Sequence, residues 1–197
     1  MRIKKILPMI IVSLSIGILT GCTETKTKST QINVLATTDL HGSVPYNMAQ
    51  HIKKERENDP NISLVDAGDF FDSDSGGAMD KYFSDRRSKK QTEIVTFENK
   101  YVEFPLANDM NEVGYDAVVL GNHEFVSNNK FHLDNMISDF EKNNINVLSA
   151  NTYKQNGESY TKPYTIKQID TEYGQVKLGI LGLTIKEVNE GEPGDEK

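Results

Sequence analysis

A layered α/β fold, with β-sheet flanked by helices, is what this chain of 197 residues predicts. Three observations predict it. Six short apolar runs rich in β-branched residues recur along the chain. Segments of helical character separate the first four of them, and a polar cluster follows directly on three of them. Short, nearly continuous runs suit strands buried on both faces, and strand–helix repetition lays helices against a mainly parallel sheet.

The N-terminus stands apart from that pattern. MRIKK supplies Arg2, Lys4 and Lys5, and an apolar stretch from Ile6 to Leu19 follows. This is the layout of a secretory signal and is shorter than the ~20 apolar residues that span a bilayer. The stretch ends in Leu19-Thr20-Gly21-Cys22, which resembles the bacterial lipoprotein box. Residues 1–21 are therefore expected to be a lipoprotein signal peptide and Cys22 the lipidated residue. The chain would then sit outside the cytoplasm, anchored to the bacterial membrane by its acyl chains, each buried methylene adding about 0.8 kcal/mol. Cys22 is the only cysteine, so no disulfide framework exists and stability must come from a core. Residues 22–31 are polar and read as a flexible tether.

Twenty-two basic residues face 29 acidic ones for a net charge of −7, and removing the three basic residues of the leader makes it −10. Nothing in this balance suggests a nucleic-acid-binding face, which needs a basic patch. It also repels phosphorylated substrates, so a phosphate site here would need local positive charge such as metal ions.

The strand candidates are Ile32–Thr37, Ile62–Val65, Ala117–Leu120, Ile145–Leu148, Tyr164–Ile169 and Val176–Leu183. Helices are expected over about 46–58, about 103–113 and about 130–143. The second stops at Gly114, a suitable C-terminal glycine, and the third carries the stripe Phe131, Met136, Ile137 and Phe140. Residues 72–102 break the rhythm with a polar, charged, glycine-containing stretch, read as a surface insertion with a short helix or hairpin. A calcium loop starting at Asp72 fails, because Gly76 and Phe83 occupy positions that need oxygen ligands.

Chemistry concentrates after three strands. Asp39 and His41 follow the first in TTDLHG, Asp69 follows the second in VDAGDF, and Asn122, His123 and Glu124 follow the third in VLGNHEF. The carboxyl ends of parallel strands form the ligand crevice of open α/β sheets, so residues distant in sequence can meet there. Asp, Asn and neutral His suit Mn, Fe, Zn or similar divalent ions. Each cluster alone is weak: Asp-x-His is common solvated sequence, Gly-Asp a common turn, and Asn-His-Glu a possible helix cap. All three in order, each at a strand tip, argue for one metal site. His51 and His132 read as surface or packing residues, and Asn151 as a residue bordering the site or closing a turn.

The D-x-H, G-D and G-N-H-E series resembles the calcineurin-like metallophosphoesterase superfamily. TTDLHG, GYDAVVLGNHEF and VLSANTY are most similar to its bacterial 5′-nucleotidase and 2′,3′-cyclic-nucleotide 2′-phosphodiesterase branch, over about 32 to 185. The resemblance implies two-metal hydrolysis of phosphate esters, nucleotides foremost, by a bridging hydroxide. It implies Asp39 and His41 on the first metal, Asp69 bridging both, and Asn122 on the second. His123 would stabilise or protonate the leaving oxygen, and Glu124 would orient its neighbours. No substrate-binding residue is identified. The family completes its centre with later histidines in G-H and G-H-x-H motifs, and this sequence has no His after His132. Residues 32–197 are thus expected to be the N-terminal portion of a catalytic domain, cut before the later strands. The rival expectation is a non-catalytic lipoprotein remnant or binding module keeping the fold.

Overall fold

The computed structural model describes residues 29–70, 77–86 and 98–185. The expected leader, Cys22 and all but the end of the tether lie outside the described residues, as do 71–76 and 87–97 within the expected insertion.

Four strands form a parallel sheet: β1 (Val34–Thr37), β2 (Ser63–Asp66), β3 (Ala117–Val119) and β4 (Asn146–Leu148), side by side in that order. A parallel neighbour can be reached only by a crossover, and helices supply it. α1 (Tyr46–Asn58) lies between β1 and β2, α2 (Gly77–Arg86) and α3 (Pro105–Val113) between β2 and β3. α4 (Asn122–Val126) and α5 (Lys130–Lys142) lie between β3 and β4. Pro105 opens α3, where its missing N–H costs nothing, and Gly114 closes it in the left-handed conformation at φ 93°. Asn129 caps α5, its side chain accepting the His132 N–H at 3.0 Å.

The core lies where helix stripes meet the sheet. Leu64, Val118 and Val147 from the strands are buried with Leu106 and Met110 of α3 and Met136 and Phe140 of α5. Phe140 sits edge-on to Phe70 and Phe104, with ring centroids 5.1 and 5.5 Å apart. Met136 is thus core filling, as its place in the stripe implies. No helix among the described residues is long and apolar enough to cross a membrane.

Two expectations need correction. The segment 72–102 is not all surface: α2 buries Met79, Tyr82, Phe83 and Arg86 in the same core. Its apolar residues are spaced for one helix face inside an otherwise charged stretch, and that face packs against α3. Nor are β1 and the last two strands buried on both faces: β1 exposes Val34 and Ala36. β5 (Tyr164–Thr171) and β6 (Gly174–Leu181) pair antiparallel as a separate two-stranded sheet. One side of it exposes Tyr164, Ile166 and Leu181. Gln168 and its partner Lys177 are exposed on that same side, while Lys167 and Ile169 lie on the more buried one, so the hairpin is half-buried. The hairpin is tied to the main sheet through Lys167, whose Nζ donates to Asp116 Oδ2 at 2.7 Å and to the Ile62 carbonyl at 3.0 Å.

Candidate active site

Parallel pairing puts the carboxyl ends of β1, β2 and β3 side by side, so their three polar clusters share one end of the sheet. Backbone hydrogen bonds then zip the first two loops together. Asp39 N–H donates to the Gly68 carbonyl at 3.0 Å, His41 N–H to that of Asp69 at 3.4 Å, and Gly42 N–H to that of Phe70 at 2.9 Å. Asp39, His41 and Asp69 all adopt left-handed backbone, with φ of 54°, 46° and 56°. Such angles are uncommon outside glycine and cluster at functional sites. Three of the expected ligands carry them at one end of the sheet.

The loops after β2 and β3 close on each other through glycine. A Cβ on Gly121 would lie 2.2 Å from Asp69 Oδ1 and 2.7 Å from Asp69 N, and one on Gly68 would lie 2.7 Å from Gly121 N. That contact brings Asp69 into the cluster at the start of α4. Its Oδ1 accepts the His123 N–H at 3.0 Å. The Asn122 amide faces both Asp69 oxygens, 3.2 and 3.0 Å away, and donates to them when its nitrogen turns inward. Glu124, buried, accepts the N–H groups of Asp69 at 3.1 Å and Gly121 at 2.6 Å on one oxygen, Oε2. Burial pushes its carboxyl up to about 8, against the downward pull of those two donors.

The remaining two candidates join from the β1 side. The His41 ring meets the His123 ring edge-on at 5.6 Å, and His41 Nε2 lies 3.9 Å from Asp39 Oδ1. The side chains of His41 and Asp39 are 45% and 55% exposed, so this half of the site opens to solvent and to any ligand. The model for calcineurin-like phosphoesterases matches residues 32–192, spanning every one of these residues.

The chain belongs to the calcineurin-like phosphoesterase family.

Relatives in this family agree. The trifunctional nucleotide phosphoesterase YfkN of Bacillus subtilis is 30% identical over 180 residues, covering 81% of this chain and 11% of that protein. The snake venom 5′-nucleotidase of Gloydius brevicauda is 32% identical over 154 residues, covering 76% of this chain and 21% of the relative. The crystal structure of the YfkN phosphoesterase superposes with a TM-score of 0.56 at 28% identity, over 80% of this chain and 49% of that one. The NAD nucleotidase of Haemophilus influenzae shares the fold, with a TM-score of 0.54 at 21% identity, over 80% of this chain and 27% of that one. The chain therefore spans well under two thirds of these relatives.

A phosphoesterase of this family normally holds two divalent metals, and the donors can be tested against them. With its nitrogen inward the Asn122 amide satisfies both Asp69 oxygens without a metal, and with its oxygen inward the same two side chains would offer three oxygens to a cation. The donor chemistry fits. The set is incomplete among the described residues, where no group of three or more His, Cys, Asp or Glu side chains could hold an ion. The four expected ligands stand as two pairs, Asp39 with His41 and Asp69 with Asn122.

The other histidines are elsewhere. His51 is largely exposed on α1, and His132 is buried with Nε2 2.8 Å from the Glu98 carbonyl. Asn151 ties the segment after β4 to the one after β6 and does not close a local turn with these bonds: its side chain donates to the Thr184 carbonyl at 2.7 Å and accepts the Thr184 N–H at 2.9 Å.

Sequence reasoning missed Asp66, the last residue of β2. It is 1% exposed, and burial pushes its carboxyl up to about 6. The available signal was a carboxylate ending an apolar run, which cannot be buried without partners. Because the folded state holds this proton more tightly than the unfolded chain, stability falls as pH rises through the interval from the ordinary 3.8 to about 6. The loss is on the order of 3 kcal/mol. Urea unfolding in chelator at pH 4 to 7 should show it added to the fall that Glu124 contributes over the same interval, and Asp66→Asn should make the profile shallower by the Asp66 share.

Proposed function

We propose that this chain carries the first half of the site of a nucleotide-hydrolysing phosphoesterase that works with two divalent cations. The cations, when bound, would supply positive charge to the phosphoryl oxygens and acidify an attacking water. Asp39 and His41 would hold one, Asn122 the other, and Asp69 both, since a carboxylate offers two oxygens. His123 is held by its backbone N–H on Asp69 and by its ring against His41. It would give a proton to the leaving oxygen, which imidazole can do near neutral pH. The nucleotide preference rests on the relatives, whose names place them among nucleotidases. Delivery outside the cytoplasm on a lipid attached to Cys22 completes the reading, carried by the leader and the box at Leu19–Cys22.

The observation that supports it is the contact of Asp69 with Asn122 and His123, brought together from loops 53 residues apart. Calorimetric titration of the chain with Mn²⁺ should show saturable binding that Asp69→Ala abolishes. Hydrolysis of a nitrophenyl phosphate ester should rise with Mn²⁺ and fall at least tenfold in His123→Ala while binding persists. Absence of both binding and turnover in the wild type would overturn the proposal in favour of a non-catalytic lipoprotein.

A further inference from the structure

The tips that carry the candidate ligands are set against each other by polar groups one layer below them. Thr37 ends β1, Asp66 ends β2, and the two are partners in register. Thr37 Oγ1 donates to Asp66 Oδ2 at 2.5 Å, and Gly68 N–H donates to Asp66 Oδ1 at 2.9 Å. Tyr115, buried just before β3, has its hydroxyl 2.9 Å from Thr37 Oγ1. The one hydroxyl proton of Thr37 goes to Asp66, so Tyr115 is the donor in that contact.

The relay reaches the site directly on both sides. Thr37 is two residues before Asp39. Gly68 immediately precedes Asp69, and its carbonyl accepts the Asp39 N–H at 3.0 Å. Asp66 therefore grips the root of each loop with a different oxygen. A carboxylate is an expensive choice there: it is desolvated and lies in the repulsive field of Asp39 and Asp69. An apolar side chain would fill the space without either penalty, and could make neither bond.

We propose that Asp66, with Thr37 and Tyr115, is a positioning relay that fixes Asp39 opposite Asp69 and so sets the metal affinity of the site. This rests on the metal-dependent reading above. An Asn at 66 can keep the geometry, its oxygen accepting from Gly68 and its N–H donating to Thr37, which then donates to Tyr115. An Ala cannot.

The test compares wild type, Asp66→Asn, Asp66→Ala, Thr37→Val and a remote destabilised control, Met136→Ala in α5. Mn²⁺ affinity is measured by calorimetry at a temperature where circular dichroism shows each protein folded. Exchange of the Asp39 amide is followed by NMR without metal. Asp66→Ala should weaken Mn²⁺ binding about 10- to 100-fold and speed Asp39 exchange. Asp66→Asn should stay near wild type in both, and Met136→Ala should leave Mn²⁺ affinity unchanged. Thr37→Val, which removes only the hydroxyl, decides the matter if the alanine variant does not fold, and should show both effects more weakly. Wild-type affinity in Asp66→Ala, an equal loss in Met136→Ala, or unaltered Asp39 exchange overturns the proposal. If wild type binds no Mn²⁺, the metal reading fails. The Asp39 amide, which needs no metal, then decides whether the relay holds the loops.

Discussion

Gly121→Ala is expected to lower stability by about 3 kcal/mol or more and to remove measurable Mn²⁺ affinity in the same variant. Gly121 has an ordinary backbone, φ −86° and ψ −168°, so alanine would meet no torsional strain there. The obstacle is proximity. The added Cβ would sit 2.2 Å from Asp69 Oδ1, and turning that side chain away would relieve this contact. It would also give up the His123 N–H and the Asn122 amide, which both meet the Asp69 carboxylate. The second clash, 2.7 Å to Asp69 N, is with backbone and has no such escape. The loops after β2 and β3 must separate, and with them Asp69 leaves Asn122. Urea unfolding gives the first quantity and Mn²⁺ calorimetry the second. A variant as stable as wild type, binding Mn²⁺ equally, would show that these loops do not touch.

The order of strands and helices was legible because local and global preferences agree in the parallel sheet. α1 was expected over about 46–58 and spans Tyr46–Asn58; the run at Ile62–Val65 forms β2 one residue later. Buried parallel strands announce themselves by continuous apolar runs, and the intervening stripes are long enough to be helices. The hairpin of β5 and β6 was less legible. VKLGILGL reads as a continuous run, and only its pairing with β5 puts Lys177 and Leu181 on the exposed side. The short helix that was one of the two options for the charged stretch is α2, and what the charge concealed is its burial, since Met79, Tyr82, Phe83 and Arg86 suffice to dock it.

The site divides in the same way. Its ligand candidates were legible because Asp, His and Asn must be what they are to offer lone pairs to a metal. What arranges them was not. The bond from Asp69 N–H to Glu124 joins residues 55 apart, and its direction depends on the left-handed φ of 56° at Asp69. Backbone donors leave no mark on side-chain identity. Asp66 was readable in principle, but its role depends on Thr37 and Gly68 being its neighbours in the folded sheet.

Glu124→Ala and Glu124→Gln should separate by about 3 kcal/mol, and the separation follows from which oxygen does the accepting. Both donors, Asp69 N–H and Gly121 N–H, converge on Oε2. Alanine would orphan two backbone donors in a buried place, each costing about 1–3 kcal/mol, for a total near 4 kcal/mol. Glutamine can place its amide oxygen where Oε2 lies and satisfy both. It loses the strength that charge lends these bonds. That loss is small near neutral pH, because a carboxyl pushed up to about 8 is largely protonated there in the metal-free protein. Glutamine should therefore cost about 1 kcal/mol and keep Mn²⁺ binding, while alanine loses both. Chemical unfolding in chelator, followed by Mn²⁺ titration of each variant, reads the two effects. Equal destabilisation by glutamine and alanine would mean that the negative charge of Glu124, and not its acceptor oxygen, holds the Asp69 and Gly121 loops together.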